Sequence, residues 1–249
     1  MARIKLMNTE IDNLTMAEAL DAMNGLIRQK TGAYVVTPNV DHLVQLEQGG
    51  PLCDVYKHAN LILTDGAPLL WIAKWYGTPL KEKISGSDLF PRLCEMAAQK
   101  GYTMFFLGAM EGVAAKAADN LAARYPGLQV KGTYSPPFGF EKDEAELGRI
   151  RDMIHAAAPD ILIVGLGCPK QELFIYHHAK ELGVPLSLGL GASLDFEAGN
   201  VKRAPRWMSD HGLEWLYRLT QDPKRLAQRY LVNDPKIFGM ALKYKRKQR

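Results

Sequence analysis

The chain has 249 residues, of which 47% are hydrophobic and 23% are charged, and its net charge is +4. This composition is typical of a globular protein with one large or two small domains, and it excludes disordered and fibrous classes. Its three cysteines, without Cys-x-x-Cys spacing, argue against a disulfide framework or a zinc ribbon and indicate a reducing compartment. The sequence has neither a signal-peptide core nor an apolar run of about 18 residues. We therefore expect a cytoplasmic protein without a transmembrane anchor.

The charge is distributed unevenly along the chain. From Val201 onward there are 13 basic and 4 acidic residues, a net charge of +9, which leaves −5 for the preceding 200 residues. Such an asymmetry indicates that the C-terminal segment meets a polyanionic partner.

Taken in order, the chain alternates short apolar runs with amphipathic stretches. One or two short strands are predicted within residues 3–12, and Thr15 with Glu18 has the spacing of a capping box at the start of a helix to Gln29. Further strands are predicted at 33–37, 60–65, 102–108, 128–133, 160–165 and 185–191. Helices are predicted at 40–48, 52–59, 68–76, 112–125, 143–158, 171–182, and from a cap at Ser87 or Asp88 to Lys100. This rhythm predicts an α/β fold, with a mainly parallel, Rossmann-like sheet and helices on both faces.

The alternation stops after Gly199. Residues 204–220, 223–231 and 235–245 read as helices that carry many Arg and Lys residues. We therefore predict a catalytic or binding α/β domain over residues 1–199 and a basic helical appendage over residues 200–249.

Asp65 ends the apolar run 60–64 and is followed by Gly66 and by a helix that Pro68 opens. A carboxylate in that place lies at the carboxyl edge of a parallel sheet, where open α/β folds bind ligands. Gly66 leaves room for a ligand and permits a positive φ. In the other interpretation Asp65 is only the N-cap of the helix, a position that Asp favours. This stretch alone leaves both interpretations open.

Several other polar, glycine-marked turns follow predicted strands: Thr37-Pro-Asn39, Gly108 to Gly112, Gly165-Leu-Gly167-Cys-Pro-Lys-Gln171-Glu172, and Gly189-Leu-Gly191-Ala-Ser193. Because the carboxyl ends of parallel strands share one edge, this convergence favours Asp65 as part of a site. The turns at Gly108 and Gly165 lead into helices, where backbone N–H groups suit a phosphate, although glycine also simply permits tight turns. Neither turn matches a dinucleotide fingerprint or a P-loop.

Signals for a metal are poor. The chain has no Asp-x-Asp, and the neighbours His177 and His178 point in different directions on a helix. Asp195 and Glu197 are a candidate cation site, but a carboxylate pair usually needs more ligands. We therefore predict neither a metal ion nor a cofactor.

The appendage combines arginines with aromatic residues. Arginine forks suit phosphate groups, and Trp and Tyr are typical of lipid interfaces. The residues concerned are Arg206, Arg218, Arg225, Arg229, Trp207, Trp215, Tyr217 and Tyr230. A membrane surface, a nucleic-acid patch and a solvated basic face with buried aromatics all remain open on composition.

In their order along the chain, these motifs resemble those of the WecG/TagA/CpsF family, glycosyltransferase family 26, over nearly the whole length. The motifs are Thr37-Pro-Asn39, Thr64-Asp65-Gly66, Gly86-Ser-Asp88, Phe106-Leu-Gly108, Gly165-Leu-Gly-x-Pro-Lys-Gln171-Glu172, Gly189-Leu-Gly-Ala-Ser-Leu-Asp195, Arg203-Ala-Pro-x-Trp207 and Gly212-Leu-Glu-Trp-Leu-Tyr-Arg218. The resemblance implies an inverting, metal-independent enzyme that moves a sugar from a UDP-sugar to a lipid-diphosphate-linked sugar, for teichoic acid or surface polysaccharide. Many members transfer N-acetylmannosamine to undecaprenyl-diphosphate-N-acetylglucosamine; others use donors such as glucose or N-acetylmannosaminuronic acid.

The resemblance also implies residue roles. Asp65 would be the catalytic base. Substrate would be bound by Thr37, Asn39, Gly66, Lys83, Asp88, Gln171 and Glu172. The nucleotide would be bound by Gly108, Gly165, Gly167, Gly191, Arg206, Arg218, Arg225 and Arg229. Lys83 stands where the family commonly has Arg, so it keeps the charge but loses the bidentate geometry for a diphosphate.

The expected partners are a UDP-sugar as co-substrate, a lipid-linked sugar acceptor and an anionic membrane surface. The enzyme would lie peripherally on the inner face of the bacterial cytoplasmic membrane, without a nucleic-acid partner, and a homo-oligomer stays open. Two other classes compete with this interpretation. One is a nucleotide-binding module whose basic tail docks RNA or DNA, and the other is a nucleotide-sugar epimerase, which would require the missing dinucleotide fingerprint.

Overall fold

A computed structural model describes residues 3–247 of the protein, except for the side chains of Arg206, Asp210, Arg225 and Lys247. It begins with an antiparallel hairpin of β1 (Arg3–Leu6) and β2 (Thr9–Asp12). Helix α1 (Met16–Gln29) follows, and Thr15 and Glu18 form the predicted capping box at its start.

Six parallel strands form the main sheet: β3 (Ala33–Val36), β4 (Leu61–Ile62), β5 (Thr103–Gly108), β6 (Gln129–Tyr134), β7 (Ile161–Gly165) and β8 (Leu186–Gly189). Their spatial order is β4-β3-β8-β7-β5-β6. The chain passes from β3 to β4 at one edge and from β5 to β6 at the other. Such a reversal opens a crevice at the carboxyl ends of the strands, where ligands bind in this architecture. The predicted α/β class with a Rossmann-like sheet is confirmed.

Helices lie on both faces of the sheet. In chain order they are α2 (Val40–Gln48), α3 (Pro51–His58), α4 (Ala67–Tyr76), α5 (Gly86–Lys100), α6 (Val113–Arg124), α7 (Glu144–Ala157), α8 (Lys170–Leu182), α9 (Ala192–Glu197), α10 (Arg206–Asp210), α11 (Glu214–Gln221), α12 (Pro223–Gln228) and α13 (Lys236–Lys247). Along β3, Tyr34 and Val36 pack in a core with α2, α3, α4 and α8. Ala33 and Val35 pack in the opposite core with α1, α5 and α6. Burial on both faces explains the nearly unbroken apolar runs of the strands.

Three local predictions were wrong. The N-cap of α5 is Ser85, not Ser87 or Asp88, because the Ser85 hydroxyl accepts from the Asp88 amide. The single helix predicted at 204–220 is interrupted after α10 at Gly212, whose φ of +72° is left-handed. The run 60–65 is an extended edge with only two residues in the ladder, although the Asp65 amide still donates to Pro38 O at 2.9 Å.

The appendage packs on the α/β layers instead of extending away from them. Ile237, Met240 and Ala241 of α13 are buried in the same core as Val36. The Tyr76 hydroxyl in α4 also donates to Ala241 O at 2.6 Å. The domain boundary near residue 199 stays a prediction.

Candidate active site

The predicted convergence of strand ends is present in the structure. Thr37 follows β3, Asp65 follows β4, and Gly191 follows β8, and these three strands are neighbours in the sheet. Gly108 and Gly165 end β5 and β7, the next two strands. All of these residues therefore lie along one edge of the sheet.

Asp65 does not cap the helix that follows it. The N-cap of α4 is Gly66, with a φ of +101°, and no side chain bonds to the free amides there. The interpretation of Asp65 as a cap is therefore wrong. Because Gly66 takes the cap position in a conformation that favours glycine, the carboxylate of Asp65 is left to the crevice.

The environment of Asp65 favours the protonated acid. Its pKa is raised to about 6, first by burial of the carboxyl group and then by the negative charge of Glu214 in α11. The positive charges of Arg218, Lys83 and His42 act in the opposite direction. A carboxylate with a pKa near neutrality is suited to take up and release a proton at physiological pH.

Glu214 and His42 are residues of this environment to which the sequence analysis gave no role. Glu214 stands within the motif Gly212-Leu-Glu-Trp, and His42 follows Asn39 by three residues, which is a capping-box spacing. The sequence signal for His42 was therefore present, but it indicated a cap and not a site.

Thr37 and Asn39 flank the crevice on the β3 side. Asn39 is the N-cap of α2, and its Oδ1 accepts from the His42 amide at 3.3 Å. The same oxygen accepts from Arg229 Nη2 of the appendage at 3.2 Å. The appendage is therefore bonded directly to the carboxyl end of β3.

Lys83 and Asp88 form a charged group with Arg203. Arg203 Nη2 donates to Asp88 Oδ1 at 2.6 Å, and Lys83 Nζ lies 3.8 Å from Asp88 Oδ2. Although burial opposes ionisation of Asp88, hydrogen bonds from Ser85 and Arg203 outweigh it and lower the pKa. Asp88 thus holds Lys83 near Asp65 and ties the start of the appendage to α5.

Gln171 and Glu172 are buried at the start of α8. Gln171 Oε1 accepts from the amides of Gly167 at 3.2 Å and Gly191 at 3.1 Å, and its Nε2 donates to Glu172 Oε1 at 2.8 Å. Gln171 therefore joins the loop after β7 to the loop after β8. The amides of Gly167 and Gly191, predicted to face a nucleotide, donate to this side chain in the structure.

Glu172 also bonds to His42, whose Nε2 lies 3.3 Å from Glu172 Oε1. Burial opposes protonation of His42, but hydrogen bonds with Cys168 and Glu172 outweigh it and raise the pKa to about 10. The Asn39 amide, 3.4 Å from Nδ1, instead fits a neutral ring with its proton on Nε2. In both protonation states Nε2 carries a proton that faces Glu172.

Among residues 3–247, His42, Cys168 and Glu172 have ligand atoms that lie within 4.8 Å of one another. Nitrogen, sulfur and oxygen ligands of this kind suit zinc. A metal on His42 Nε2 would have to displace the proton that bonds to Glu172, and Nδ1 would then need its own proton where the Asn39 amide already donates. The hydrogen bonds therefore do not favour a metal ion here.

Gly108 and Gly165 allow two strand ends to approach closely. A Cβ on Gly108 would lie 2.6 Å from Gly165 O, and the Ala109 amide donates to that oxygen at 2.7 Å. A Cβ on Gly165 would lie 2.7 Å from Leu194. Close packing therefore requires glycine at both positions, whether or not the turns bind a ligand.

The appendage arginines fall into two groups. Arg218 lies over the Phe196 ring at 5.7 Å and lines a cleft of about 290 Å³ between α9 and α11, together with Asp195, Asn200 and Gln221. Arg229 bonds to Asn39 and lies 3.7 Å from Asp41. The predicted contributions of Arg206 and Arg225 lie outside the described side chains.

Comparison with known proteins identifies the family of this chain. The family model for the glycosyl transferase WecG/TagA/CpsF family matches residues 4–249. A Bacillus spizizenii protein named N-acetylglucosaminyldiphosphoundecaprenol N-acetyl-beta-D-mannosaminyltransferase is 37% identical over 218 residues, which cover 88% of this chain and 82% of that protein. A Bacillus subtilis protein with the same name is 33% identical over 217 residues, covering 87% and 82%.

None of the helices within residues 3–247 is long and apolar enough to cross a bilayer. The family match covers nearly the whole chain, and both relatives align over more than four-fifths of it. The chain therefore belongs to the WecG/TagA/CpsF family and is a glycosyltransferase.

Proposed function

We propose that this protein is an inverting glycosyltransferase that moves N-acetylmannosamine from UDP to a polyprenyl-diphosphate-linked N-acetylglucosamine. The product would serve the synthesis of teichoic acid or another cell-surface polysaccharide. The names of the two Bacillus relatives support the sugar and the acceptor. UDP as the carrier, and UDP-glucose or UDP-N-acetylmannosaminuronic acid as alternative donors, follow from the family resemblance.

The observation that carries the proposal is the placement of Asp65. Its carboxylate has a pKa raised to about 6 at the strand edge, beside cationic side chains. In the reaction, an acceptor hydroxyl oxygen attacks the anomeric carbon from the face opposite UDP. The bond between that carbon and the UDP oxygen breaks, UDP leaves with the electron pair, and Asp65 takes the hydroxyl proton.

The charge of the departing UDP needs cations or N–H donors. Lys83 and Arg218 lie close enough to Asp65 to influence its ionisation, and Arg229 lies at the end of β3. We propose that these side chains, with Arg206 and Arg225, stabilise the diphosphate without a metal ion. The alternative, a cation held by Asp195 and Glu197, is weakened because Arg124 binds Glu197 Oε2 at 2.7 Å.

In this proposal some of the substrate-site residues contact the sugars directly, and others only position the groups that do. Thr37, Asn39 and Gly66 border the crevice and would contact the sugars, whereas Gln171 and Glu172 are buried and bonded to protein groups. The second pair would therefore act by fixing the loops of Gly167 and Gly191. Asp88 would act through Lys83.

The net charge of +9 from Val201 onward supports peripheral binding to an anionic membrane, where the lipid-linked acceptor resides. We propose that the enzyme works on the inner face of the cytoplasmic membrane. Each exposed Lys or Arg near such a surface contributes on the order of 1 kcal/mol, and the attraction weakens with salt.

A panel of UDP-sugars with a soluble lipid-diphosphate-N-acetylglucosamine analogue, read by mass spectrometry, tests the proposal. We expect a single added N-acetylhexosamine with UDP-N-acetylmannosamine. Asp65→Asn should lower turnover by at least about 100-fold, the effect of a lost general base. Asp54→Asn, at an exposed position of α3, is the matched control and should turn over normally. Normal turnover by Asp65→Asn would end the proposed role of Asp65.

A further inference from the structure

Helix α4 exposes an unusual pair of residues. Trp71 is 55% exposed and Trp75 is 50% exposed, while Leu69, Ile72 and Ala73 of the same helix are buried. Because residues three and four apart share one face of a helix, Trp71, Lys74 and Trp75 form a single outward face. Large exposed apolar groups of this kind mark an interaction surface.

Helix α13 continues this face. Its Ile237, Met240 and Ala241 are buried, whereas Phe238 is 66% exposed and Leu242 is 45% exposed. Phe238 and Leu242 are four residues apart, so they lie on the same side of α13.

Lys245 joins the two helices. It follows Leu242 by three residues on α13, and its Nζ donates to Trp75 O at 3.0 Å. The same Nζ lies 5.9 Å from the centre of the Trp75 ring. The exposed side of α13 therefore runs directly into the exposed face of α4.

The other end of α4 meets the first part of the appendage. A Cβ on Gly212 would lie 3.0 Å from the Trp71 ring, so the Gly212 turn rests on this indole. We define the α4–α13 face as Trp71, Lys74, Trp75, Phe238, Leu242 and Lys245. It reaches from the Gly212 turn to the C-terminal part of α13.

The charge of the two helices indicates the partner. Helix α4 contains one basic residue and α13 contains five, and neither contains Asp or Glu. Tryptophan with lysine on an exposed helical face is typical of a surface that lies at the headgroup level of a bilayer. An anionic phospholipid surface complements both the charge and the aromatic rings.

From these contacts we infer that the α4–α13 face docks on an anionic phospholipid bilayer, with Trp71 and Trp75 at the headgroup level. The inference deepens the proposed function and rests on it. It assigns membrane binding to a helix of the α/β layers as well as to the basic tail.

The docked helix would also keep the base close to the membrane surface. Asp65 precedes the N-cap of α4 by one residue, and Trp71 follows Asp65 by six. Because the docked face is the side of α4, the helix axis would lie parallel to the bilayer, and the four residues from Ala67 to Trp71 span about 6 Å along it. A sugar linked through a diphosphate at the headgroup level would then lie beside Asp65 while its lipid stays in the bilayer.

The test compares vesicle binding of three proteins: wild type, Trp71→Ala/Trp75→Ala, and Phe138→Ala. Phe138 is 93% exposed on the loop after β6, at the opposite edge of the sheet from β4, and is the matched control. Vesicles of phosphatidylcholine with phosphatidylglycerol are compared with phosphatidylcholine alone by co-sedimentation. We expect the double variant to lose about 100-fold in affinity for the anionic vesicles, since each of the two buried indoles contributes about tenfold. Phe138→Ala should bind like wild type.

A second measurement does not depend on the folding of the alanine variant. In Trp207→Phe/Trp215→Phe, Trp71 and Trp75 are the remaining tryptophans, and under selective excitation of tryptophan brominated lipids in the anionic vesicles should quench them. Unquenched fluorescence, or unchanged vesicle binding by the alanine variant, overturns the inference. Self-association of the wild type that the alanine variant loses, with vesicle binding intact, would assign the face to a second copy and overturns it too.

Activity measurements distinguish a failure of the docking inference from a failure of the proposed function. With the soluble acceptor analogue, the single variant Trp75→Ala, which keeps the contact of Trp71 with Gly212, should turn over like wild type, whereas its turnover of a vesicle-borne acceptor should fall with the binding loss. If wild type transfers no sugar to either acceptor, the proposed function fails while the vesicle-binding result still stands. Equal turnover of the vesicle-borne acceptor by variant and wild type contradicts the docking.

Discussion

Arg229 in the appendage donates a hydrogen bond to the side chain of Asn39, the first residue after the Thr37-Pro38 turn at the end of β3. The two residues are 190 positions apart in the sequence, and Asn39 Oδ1 also caps α2. The appendage is thereby fixed to the crevice that holds Asp65. Replacing Arg229 should consequently affect both stability and catalysis.

We expect Arg229→Ala to lower the free energy of unfolding by about 1 to 3 kcal/mol, because it removes a hydrogen bond from a charged group and leaves Asp41 and Asp234 without that cation. Turnover of the soluble acceptor should fall as well. Urea denaturation and a steady-state assay measure the two effects. Arg149→Ala, which removes an exposed arginine of α7, is the control and should change neither.

The pH dependence of catalysis should report on Asp65. Since its pKa is raised to about 6, kcat/KM should be constant above that pH and should fall tenfold per pH unit below it, as the base becomes protonated. The measurement is a pH profile of kcat/KM with the soluble acceptor. A profile that stays flat down to pH 4.5 would indicate that the carboxylate has its ordinary pKa or is not the base.

The same shift should affect stability with a defined sign. The pKa of Asp65 rises from 3.8 in the unfolded chain to about 6 in the folded protein, so the folded state loses stability as pH increases through this window. Asp65→Asn removes the cost of the buried carboxylate. We expect it to raise the free energy of unfolding at pH 8 by about 3 kcal/mol and to leave it nearly unchanged below pH 4. Chemical denaturation at the two pH values measures this difference. An equal change in the free energy of unfolding at both pH values would contradict a buried charge on Asp65.

Gln171 should matter for the shape of the site more than for contact with substrate. Gln171→Leu keeps the size of the side chain but leaves the amides of Gly167 and Gly191 without their acceptor. We expect a loss of about 1 to 3 kcal/mol in unfolding free energy and a lower kcat. Gln45→Leu, on the neighbouring helix α2, is the comparison. A raised KM with unchanged kcat and stability would instead indicate direct substrate binding.

Turnover should survive chelation. The hydrogen bonds of His42 place a proton where a metal would bind, and Lys83 and Arg218 supply positive charge near Asp65. We expect the same rate after dialysis against EDTA, and Cys168→Ser, which removes one of the three candidate ligands, should respond in the same way. Loss of turnover on chelation that manganese or magnesium restores would refute this prediction.

The sequence was informative wherever a local pattern determines the structure. The alternation of apolar runs predicted the sheet, and the turn at Asp65-Gly66 predicted a carboxylate at its edge. Contacts between distant segments left weaker signals. The charge of Glu214 acts on Asp65 only because the appendage folds back, and His42 has the same spacing whether it caps a helix or bonds to Glu172.

Membrane binding by the tail is a second case in which a local pattern does not determine the contacts between distant segments. Taken alone, the amphipathic pattern of residues 235–245 predicts that Ile237, Phe238, Met240, Leu242 and Tyr244 insert at a membrane interface. Ile237 and Met240 are instead buried against the α/β layers, and the Tyr244 hydroxyl donates to Glu47. An amphipathic pattern gives the apolar side of a helix, but it does not say whether lipid or protein covers that side. Removal of α13 would therefore expose the protein core, so point variants on its exposed side are the better test of membrane contact.

Because Trp71 lies against Gly212 at the start of the appendage, tryptophan fluorescence should respond to how the appendage packs. All four tryptophans lie in α4, α10 and α11, and none lies in the sheet. Intrinsic fluorescence is therefore an optical signal of appendage docking, whereas far-ultraviolet circular dichroism follows the secondary structure of the whole chain. If the appendage detaches before the sheet melts, the two signals will give different midpoints in one denaturation series, and a two-state treatment will not apply.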